Sequence, residues 1–202
     1  LKTWFDHEGK PEAYPGQEGT QRWPRCVATR APGAAEEESV FTWFVRNALG
    51  HPTQVIETYN DANGDWATRT NWFAYTSEGI DLLSHTNALG VPVFRNAYDP
   101  SAAHRLLAST NALGEVTAYA YNSLGQVTNV SRPSGWNTAY LYATDGAYAG
   151  WLERVIDYET VADSPQPLRT NAFTYLGGRV YTHQDARERV VTNFWDALGR
   201  PT

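Results

Sequence analysis

The five residues Thr86-Asn87-Ala88-Leu89-Gly90 recur word for word as Thr110-Asn111-Ala112-Leu113-Gly114 in a chain of 202 residues. Asn at the start of a turn can hydrogen-bond its own backbone two residues on, and Gly in fourth place adopts the left-handed conformation at little steric cost. A type I turn followed by a left-handed Gly forms a three-residue hairpin loop with a Gly bulge. The repeated stretch therefore predicts a hairpin turn.

Turns of this kind recur along most of the chain, for example at Asn47–Gly50 and Asp196–Gly199. Between them lie strand-sized segments rich in β-branched and aromatic residues, and Tyr119–Tyr121 corresponds to Tyr140–Tyr142 at an offset of 21 residues. Connections this short cannot hold helical crossovers, so neighbouring strands must be antiparallel. The predicted fold is all-β, an antiparallel meander of tandem β-hairpins that forms a curved, open repeat sheet.

The regular spacing raises a problem of register. With a three-residue loop, Asn122 faces Gln126 and Tyr121 faces Val127. Continued unchanged, lateral pairing would carry Tyr121 to Leu141 rather than to its equivalent Tyr142, which lies on the opposite face. The sequence therefore predicts that one turn per repeat has a different loop length or that an extra bulge resets the register, with the turn at 132–135 as the first place to look.

Interruptions of the pattern suggest the domain organisation. Residues 1–10 are predicted to be a partial repeat, residues 11–38 an insertion or long loop, and residues 39–202 a hairpin array. The array is expected to contain an irregular insertion near 147–170 and to be truncated at both ends. Within it, residues 99–105 lack the turn Gly, and Glu188 stands where a Gly is expected.

Composition argues against several classes of partner. The net charge of −6 and the pI of about 5.3 disfavour nucleic acid, which would require a basic face. No apolar run is long enough to span a membrane, and Cys26 is the single cysteine, so it cannot form an internal disulfide.

No enzyme, metal or cofactor signature is present in the sequence. Residues 61–65 resemble the start of a calcium loop, but Trp66 and Trp72 stand where Gly and Glu would be needed, so a plain turn is the better interpretation. His183 and Asp185 suggest a catalytic or metal pair, yet the histidines lack ligand spacing. We expect a chain that is not an enzyme, with no catalytic residue, cofactor or metal.

Aromatic side chains are the most serious candidates for ligand binding. Tyr and Trp on a sheet face could stack on sugar rings, with Asn and Thr supplying hydrogen bonds. The alternative is that these aromatics fill the buried face of the sheet and its cross-strand pairs. The candidates are Trp72, Tyr75, Tyr119, Trp136, Tyr140 and Trp151.

The repeated segments resemble the RHS repeat, also called the YD repeat, whose pattern is roughly aromatic-x-Tyr-Asp-x-x-Gly-Arg-Leu followed by a Thr-Asp-x-x-Gly turn. The best matches are residues 120–127 and 194–201. The resemblance is good over residues 41–146, weaker over 171–202, and only a fragment at 3–11.

The resemblance implies a spiralling sheet of hairpins that wraps into a hollow shell. In bacterial relatives the shell encloses a toxic C-terminal segment, and in animal teneurins a similar shell belongs to an adhesion ectodomain. The implied function is a structural wall segment of a secreted or surface protein, with neighbouring repeats of the same chain as partners and an enclosed toxin segment as cargo. The alternative is recognition of carbohydrate or a cell surface by the repeat sheet. Asp99-Pro100 resembles part of the family's self-cleavage site, but the Gly expected after it is missing, so that role is not assigned.

Overall fold

The computed structural model describes residues 2–9, 20–30, 39–101, 104–161 and 164–202. Its fifteen strands form a sheet in which they follow one another in chain order. The strands are β1 Lys2–His7, β2 Pro24–Arg30, β3 Val40–Arg46, β4 Pro52–Asn60, β5 Trp66–Tyr75, β6 Leu82–Thr86, β7 Pro92–Tyr98, β8 Leu106–Asn111, β9 Val116–Tyr121, β10 Val127–Ser131, β11 Trp136–Tyr142, β12 Leu152–Val161, β13 Ser164–Leu176, β14 Arg179–Gln184 and β15 Val190–Thr192.

The pairings described between these strands are antiparallel, which confirms the predicted all-β antiparallel meander. The described residues include no helix that could cross a membrane. The chain divides into two compact units, the first formed by Leu1–Tyr98 and Thr110–Gly114, the second by Asp99–Ser109 and Glu115–Thr202.

Two segments differ from the predicted domain organisation. Part of the expected insertion at 11–38 is β2, which pairs with both β1 and β3; residues 10–19 and 31–38 lie outside the described residues. The region near 147–170 is mostly β12 and β13, joined to β11 by a longer connection at 143–151. Strands of 10 and 13 residues separate the turns more widely, which is why the usual rhythm of glycines is lost there.

The repeated five-residue stretch forms the expected turn. The Asn87 N–H donates to the Val91 carbonyl at 3.0 Å, and the Gly90 N–H donates to the Asn87 carbonyl at 2.9 Å. Asn87 Oδ1 also accepts the N–H groups of Leu89 and Val91, each at 3.0 Å. Gly90 has a φ of +76° and Gly114 one of +80°, so both take the left-handed conformation. The turn is therefore stabilised by one side chain and one unusual backbone conformation.

The register problem is solved by bulges within the strands. Tyr121 pairs with Val127 as predicted, but Ala120 pairs with Asn129, which leaves Thr128 as an extra residue. Asn129 then pairs with Ala139, so the pairing shifts by one residue and equivalent side chains return to the same face. An extra bulge was one of the two predicted solutions, although it lies near residue 128 and not in the turn at 132–135.

Turns lie alternately on two rims of the sheet. We call the turns that follow odd-numbered strands the first rim and those that follow even-numbered strands the second rim. Bulges recur beside first-rim turns, where the second or third residue of the next strand is skipped. The residues skipped there are Arg25, Thr53, Leu83, Thr128, Glu153 and Tyr181. Val93, beside a second-rim turn, and Leu168, within β13, are skipped as well.

Strands β3–β6 in the first unit and β11–β14 in the second are two versions of one arrangement. Their pairings match residue for residue through most of their length: Trp43 pairs with Ile56 where Ala139 pairs with Ile156, and Phe73 pairs with His85 where Phe173 pairs with His183. Much of β4 and β5 corresponds to β12 and β13 at an offset of 100 residues, so that Arg69-Thr70-Asn71 recurs as Arg169-Thr170-Asn171. This offset is much longer than the 21-residue offset between Tyr119–Tyr121 and Tyr140–Tyr142.

Very few side chains are fully covered. Among the described residues, the buried ones are Val130, Ser39, Asn137 and Thr138. Contacts along each face of the sheet take the place of a deep core. In both copies the histidine ring stacks on a phenylalanine, with centroids 4.6 Å apart at Phe73–His85 and 5.0 Å at Phe173–His183. The same histidines lie 3.0 and 3.2 Å from Asn71 Oδ1 and Asn171 Oδ1.

Candidate functional site

Tyrosines at the ends of odd-numbered strands tie three strands together. The Tyr121 hydroxyl donates to the Leu106 carbonyl at 2.7 Å, and the Tyr142 hydroxyl donates to the Val127 carbonyl at 2.9 Å. In each case the acceptor is the first residue of the preceding even-numbered strand. The same bond is made by Tyr75 to Pro52, Tyr98 to Leu82 and Tyr175 to Leu152. The backbone of the tyrosine thus pairs with the following strand, while its hydroxyl bonds to the preceding strand.

Burial raises the pKa of four of these phenols, those of Tyr75, Tyr121, Tyr142 and Tyr175. A phenol that donates to a backbone carbonyl must keep its proton, and loss of water around it favours the neutral form. Arg46 replaces the tyrosine at the end of β3, where its Nη2 donates to the Pro24 carbonyl at 3.3 Å and its Nη1 donates to the Gly50 carbonyl at 2.9 Å. The position therefore requires a long side chain with a donor at its tip.

Three turn glycines on the first rim, Gly50, Gly79 and Gly125, are covered by a side chain of the preceding first-rim turn. A Cβ on Gly50 would lie 2.8 Å from Trp23 Cδ1, and one on Gly125 would lie 3.1 Å from Arg105 Nη2. The Asn47 amide, which donates to the Gly79 carbonyl at 2.8 Å, occupies the same place beside Gly79. On the second rim, no atom lies within 4 Å of such a Cβ at Gly64, Gly90, Gly114 or Gly135. Consecutive first-rim turns are thus packed on one another, whereas these second-rim turns are not.

The two predicted aromatics in the first unit lie on opposite faces of β5. Tyr75 serves the structural role described above and also stacks on His51 with ring centroids 5.5 Å apart. Trp72 is three residues earlier, so it points to the other face, and its side chain is 42% exposed. These two residues do not form a common site.

In the second unit, Tyr119, Trp136 and Tyr140 share one face but remain separate. Tyr119 pairs with Val130, which pairs with Thr138, and Thr138 lies between Trp136 and Tyr140 on β11. Thr138 Oγ1 donates to Asp157 Oδ1 at 2.8 Å, so a polar pair separates the two aromatics of β11. Trp136 is the most open of the three at 48% exposed.

Trp151 belongs to a different cluster at the first rim. Its ring lies edge-on against Tyr175 at 4.8 Å between centroids and tilted against Tyr148 at 5.4 Å. Trp151 also covers Gly178. This arrangement packs the longer connection at 143–151 onto the next hairpin.

The charged candidates have structural partners. Asp61 Oδ1 accepts the N–H groups of Asn63 and Asp65, so the calcium-like segment is a hairpin turn. Asp185 bonds to its own turn and pairs with Arg189 at 2.8 Å, whereas His183 is engaged by Phe173 and Asn171. The part of the chain that the structure describes contains no group of three His, Cys, Asp or Glu that could hold a metal.

An aromatic surface that the sequence did not single out lies on the face of the first unit that also carries Trp72. Phe41 and Trp43 alternate along β3, stack with centroids 5.4 Å apart, and are 37% and 38% exposed. Val45 follows on the same face at 46% exposed. We call Phe41, Trp43, Val45, Ile56 and Trp72 the aromatic face. Large apolar residues at every second position, 41, 43 and 45, were the signal that could have revealed it, although Phe44 on the other face obscures the alternation.

Comparison with known proteins supports a repeat architecture. The RHS Repeat family matches residues 101–144. No curated protein sequence matches the chain. The solved structures that share its fold include the crystal structure of TcdB2-TccC3-TEV, at 15% identity and a TM-score of 0.64, and that of TcdB2-TccC3-Cdc42, at 16% identity and a TM-score of 0.64.

Each of these similarities covers 98% of this chain but only 10% of the other chain. The chain thus spans about a tenth of the length of the structures that it resembles. The order of the hairpins, the geometry of the turns and the family match all agree with the resemblance to the RHS repeat that residues 120–127 carry. The chain therefore contains an RHS repeat at residues 101–144, and its antiparallel hairpins extend in the same fold through the described residues.

Proposed function

We propose that this chain is a structural wall segment of a secreted or cell-surface RHS-repeat shell that encloses a polypeptide such as a toxin segment. The observation that carries the proposal is the uninterrupted chain-ordered sheet, in which each hairpin pairs with the next. Such a sheet can grow by adding hairpins at either end, and it stabilises each repeat through its neighbours. No catalytic role is assigned to the chain.

Neighbouring repeats are the proposed partners of the outer strands. Among the described strands, β15 pairs with β14 on one side only, and its Val190 and Val191 are 57% and 58% exposed. An unpaired strand edge presents free N–H and C=O groups that another strand can bind. In the complete protein we expect these groups to be paired with further hairpins.

Protease protection in the full-length protein tests this proposal. A strand-breaking substitution, Val130→Pro, removes a ladder hydrogen bond at a buried position, and we expect it to expose an enclosed segment to protease. Leu113→Ser, at an 83% exposed turn position, is the matched control and should leave protection intact. Equal protease sensitivity of an enclosed segment in the wild type and in both variants would contradict the wall function.

Carbohydrate recognition is a second candidate, and it rests on Trp136. This residue is 48% exposed, and a Thr138–Asp157 pair and the half-buried Tyr140 lie on the same face. An indole beside hydroxyl and carboxylate groups is a suitable surface for a sugar ring. Binding on a glycan array that disappears in Trp136→Ala without unfolding would support this function. An unchanged array profile in that variant would rule out Trp136 as the site.

A further inference from the structure

The aromatic face is apolar over several strands. Trp43 pairs with Ile56, and Val45 pairs with Gln54, which in turn pairs with Trp72. Directly paired residues lie on the same face of a sheet, so these side chains form one surface across β3, β4 and β5. The five residues of the aromatic face include no charged residue. The same holds for the residues of neighbouring strands that pair with them, Cys26, Ala28, Thr70 and Thr86. Exposed apolar patches of this kind mark interaction surfaces in soluble proteins.

The second copy of the arrangement shows which of these side chains the fold needs. On the opposite face, the two copies share Val55 and Val155, Phe73 and Phe173, and an ion pair at 2.8 Å, Glu57–Arg69 in one and Asp157–Arg169 in the other. On the aromatic face they differ, because Phe41, Trp43 and Trp72 correspond to Asn137, Ala139 and Ala172. The same register forms without the three aromatics, so the strand pairing does not account for their presence.

The chemistry of the surface favours an apolar polypeptide over a sugar. Besides the aromatics, it contains the aliphatic side chains of exposed Val45 and half-buried Ile56. Aliphatic groups gain from contact with Leu, Val or Phe side chains but offer nothing to the hydroxyls of a saccharide. Trp residues often carry most of the binding energy at protein interfaces. Asp6, which pairs with Cys26 beside this surface, is held in an ion pair with Arg25 at 2.6 Å, so the surface itself offers no charge to select an acidic or basic ligand.

We infer that the aromatic face of the first unit is a contact surface for apolar segments of a polypeptide that lies unfolded or extended against the sheet. This inference rests on the proposed wall function, because it assigns this face of β3–β5 to the enclosed chain. The contact does not require a particular peptide sequence, because the aromatic rings and aliphatic groups can pack against any apolar side chain. The corresponding face of β11–β13, with Ala139 and Ala172, does not make it.

Fluorescence anisotropy with the 202-residue chain tests the inference. The probe is a labelled peptide of alternating Leu and Ser, and the reference is a peptide of alternating Asn and Ser. We expect the Leu peptide to bind and the Asn peptide not to bind. Replacing the aromatics by the residues of the second copy, as Phe41→Asn, Trp43→Ala and Trp72→Ala together, should weaken binding at least about tenfold. Trp136→Ala, which removes an exposed Trp elsewhere, should leave it unchanged.

A gain-of-function variant keeps the inference testable if the triple variant does not fold. Ala139→Trp with Ala172→Trp rebuilds the surface in the second unit, and we expect it to strengthen binding of the Leu peptide. Unchanged binding in both the triple and the double variant would overturn the inference. Cellohexaose binding that is lost in the triple variant, without peptide binding, would also overturn it and would identify a saccharide surface instead. Protease protection in the full-length protein reports on the wall function separately, so failure of one proposal is distinguishable from failure of the other.

Discussion

At the scale of single residues, each turn depends on one acceptor and one left-handed residue. The Asn87 side chain accepts two backbone N–H groups that would otherwise lack partners, and Asp61 does the same in its own turn. The left-handed place is usually filled by Gly, but Glu188 takes it with a φ of +60°. On the first rim, Gly50, Gly79 and Gly125 carry a second constraint, because a side chain of the preceding first-rim turn occupies the space where a Cβ would lie.

Alanine at Gly50 and at Gly64 separates these two constraints. Both glycines have similar φ values, +87° and +85°, so the left-handed conformation should cost each variant about 1–2 kcal/mol. Gly50→Ala must also displace the Trp23 ring, so its loss of unfolding free energy in chemical denaturation should be the larger. In a Trp23→Ala background the two costs should become equal. Equal costs in the native background would mean that Trp23 moves aside freely.

The Asp185 turn should lose stability in acid. Hydrogen bonds from the Arg189 backbone N–H lead the causes that hold the pKa of Asp185 below its usual value. Because the folded pKa is depressed, this contribution is present above the unfolded value of about 3.9 and is lost as pH falls through the folded pKa. Asp185→Asn keeps the acceptor but cannot titrate. The difference in unfolding free energy between wild type and variant should therefore shrink as denaturation is repeated at falling pH.

A matched variant identifies the cause of the lowered pKa. Arg189→Gln removes the ion pair with Asp185 but leaves the backbone N–H of residue 189 in place. Since the backbone bond is the leading cause, NMR titration should still find the pKa of Asp185 below the ordinary value. Return of the pKa to that value would assign the effect to the guanidinium instead.

At the scale of strands and hairpins, the terminal tyrosine and the bulge beside it act together. The tyrosine closes one hairpin, and the skipped residue after the turn restores the side-chain alternation. In this way a repeat of odd length stays in register. Four strands with their turns recur with most of their strand pairings, as in β3–β6 and β11–β14.

Removing one hydroxyl tests the tyrosine contact. Tyr121→Phe loses the bond to the Leu106 carbonyl, and we expect it to lower the unfolding free energy by about 0.5–1.5 kcal/mol. Tyr119→Phe, two residues away on the same strand, is the control, because the Tyr119 hydroxyl has no hydrogen-bond partner in the described part of the chain. Similar effects of both substitutions in thermal or chemical denaturation would count against a special role for the terminal tyrosine.

Local chemistry made the turns, the antiparallel order and the pairing of Tyr121 with Val127 predictable, since each depends on residues close in sequence. The position of the bulge was not predictable, because it is set beside a tyrosine whose hydroxyl reaches a carbonyl on the preceding strand. β2 lies in a stretch rich in Pro, Gly and Glu, a composition that predicts an insertion or long loop. The candidate aromatics shared only their residue type, whereas the strand and the sheet face of each residue decide which of them lie together. Trp72 lies on the same face as Phe41 and Trp43, and Tyr75 lies on the opposite face.

At the scale of the whole molecule, stability comes from lateral pairing rather than from a deep core. The described residues contain a single buried apolar side chain, Val130. Most strands are covered along their edges by their neighbours, so the least protected backbone belongs to the outermost described strands. β15 is short, and all three of its residues are exposed.

The outer edge should make the isolated chain associate. We expect size-exclusion chromatography to show a concentration-dependent increase in apparent mass, because the β15 edge can pair with another strand. Val191→Lys places a charge on that strand and should reduce association. Leu89→Lys, at an 86% exposed turn position on the second rim, should not. The reverse result would place the contact at the turn leucines instead of the strand edge.

The different packing of the two rims has a consequence for how this sequence can change over evolution. A substitution at Gly90 or Gly114 affects its own hairpin alone, since no atom lies within 4 Å of the place where its Cβ would be. A substitution at Gly50 or Gly125 also concerns the hairpin before it, through Trp23 or Arg105. Changes on the first rim should therefore show epistasis and be accepted in compensating pairs. Those on the second rim should accumulate independently, one hairpin at a time.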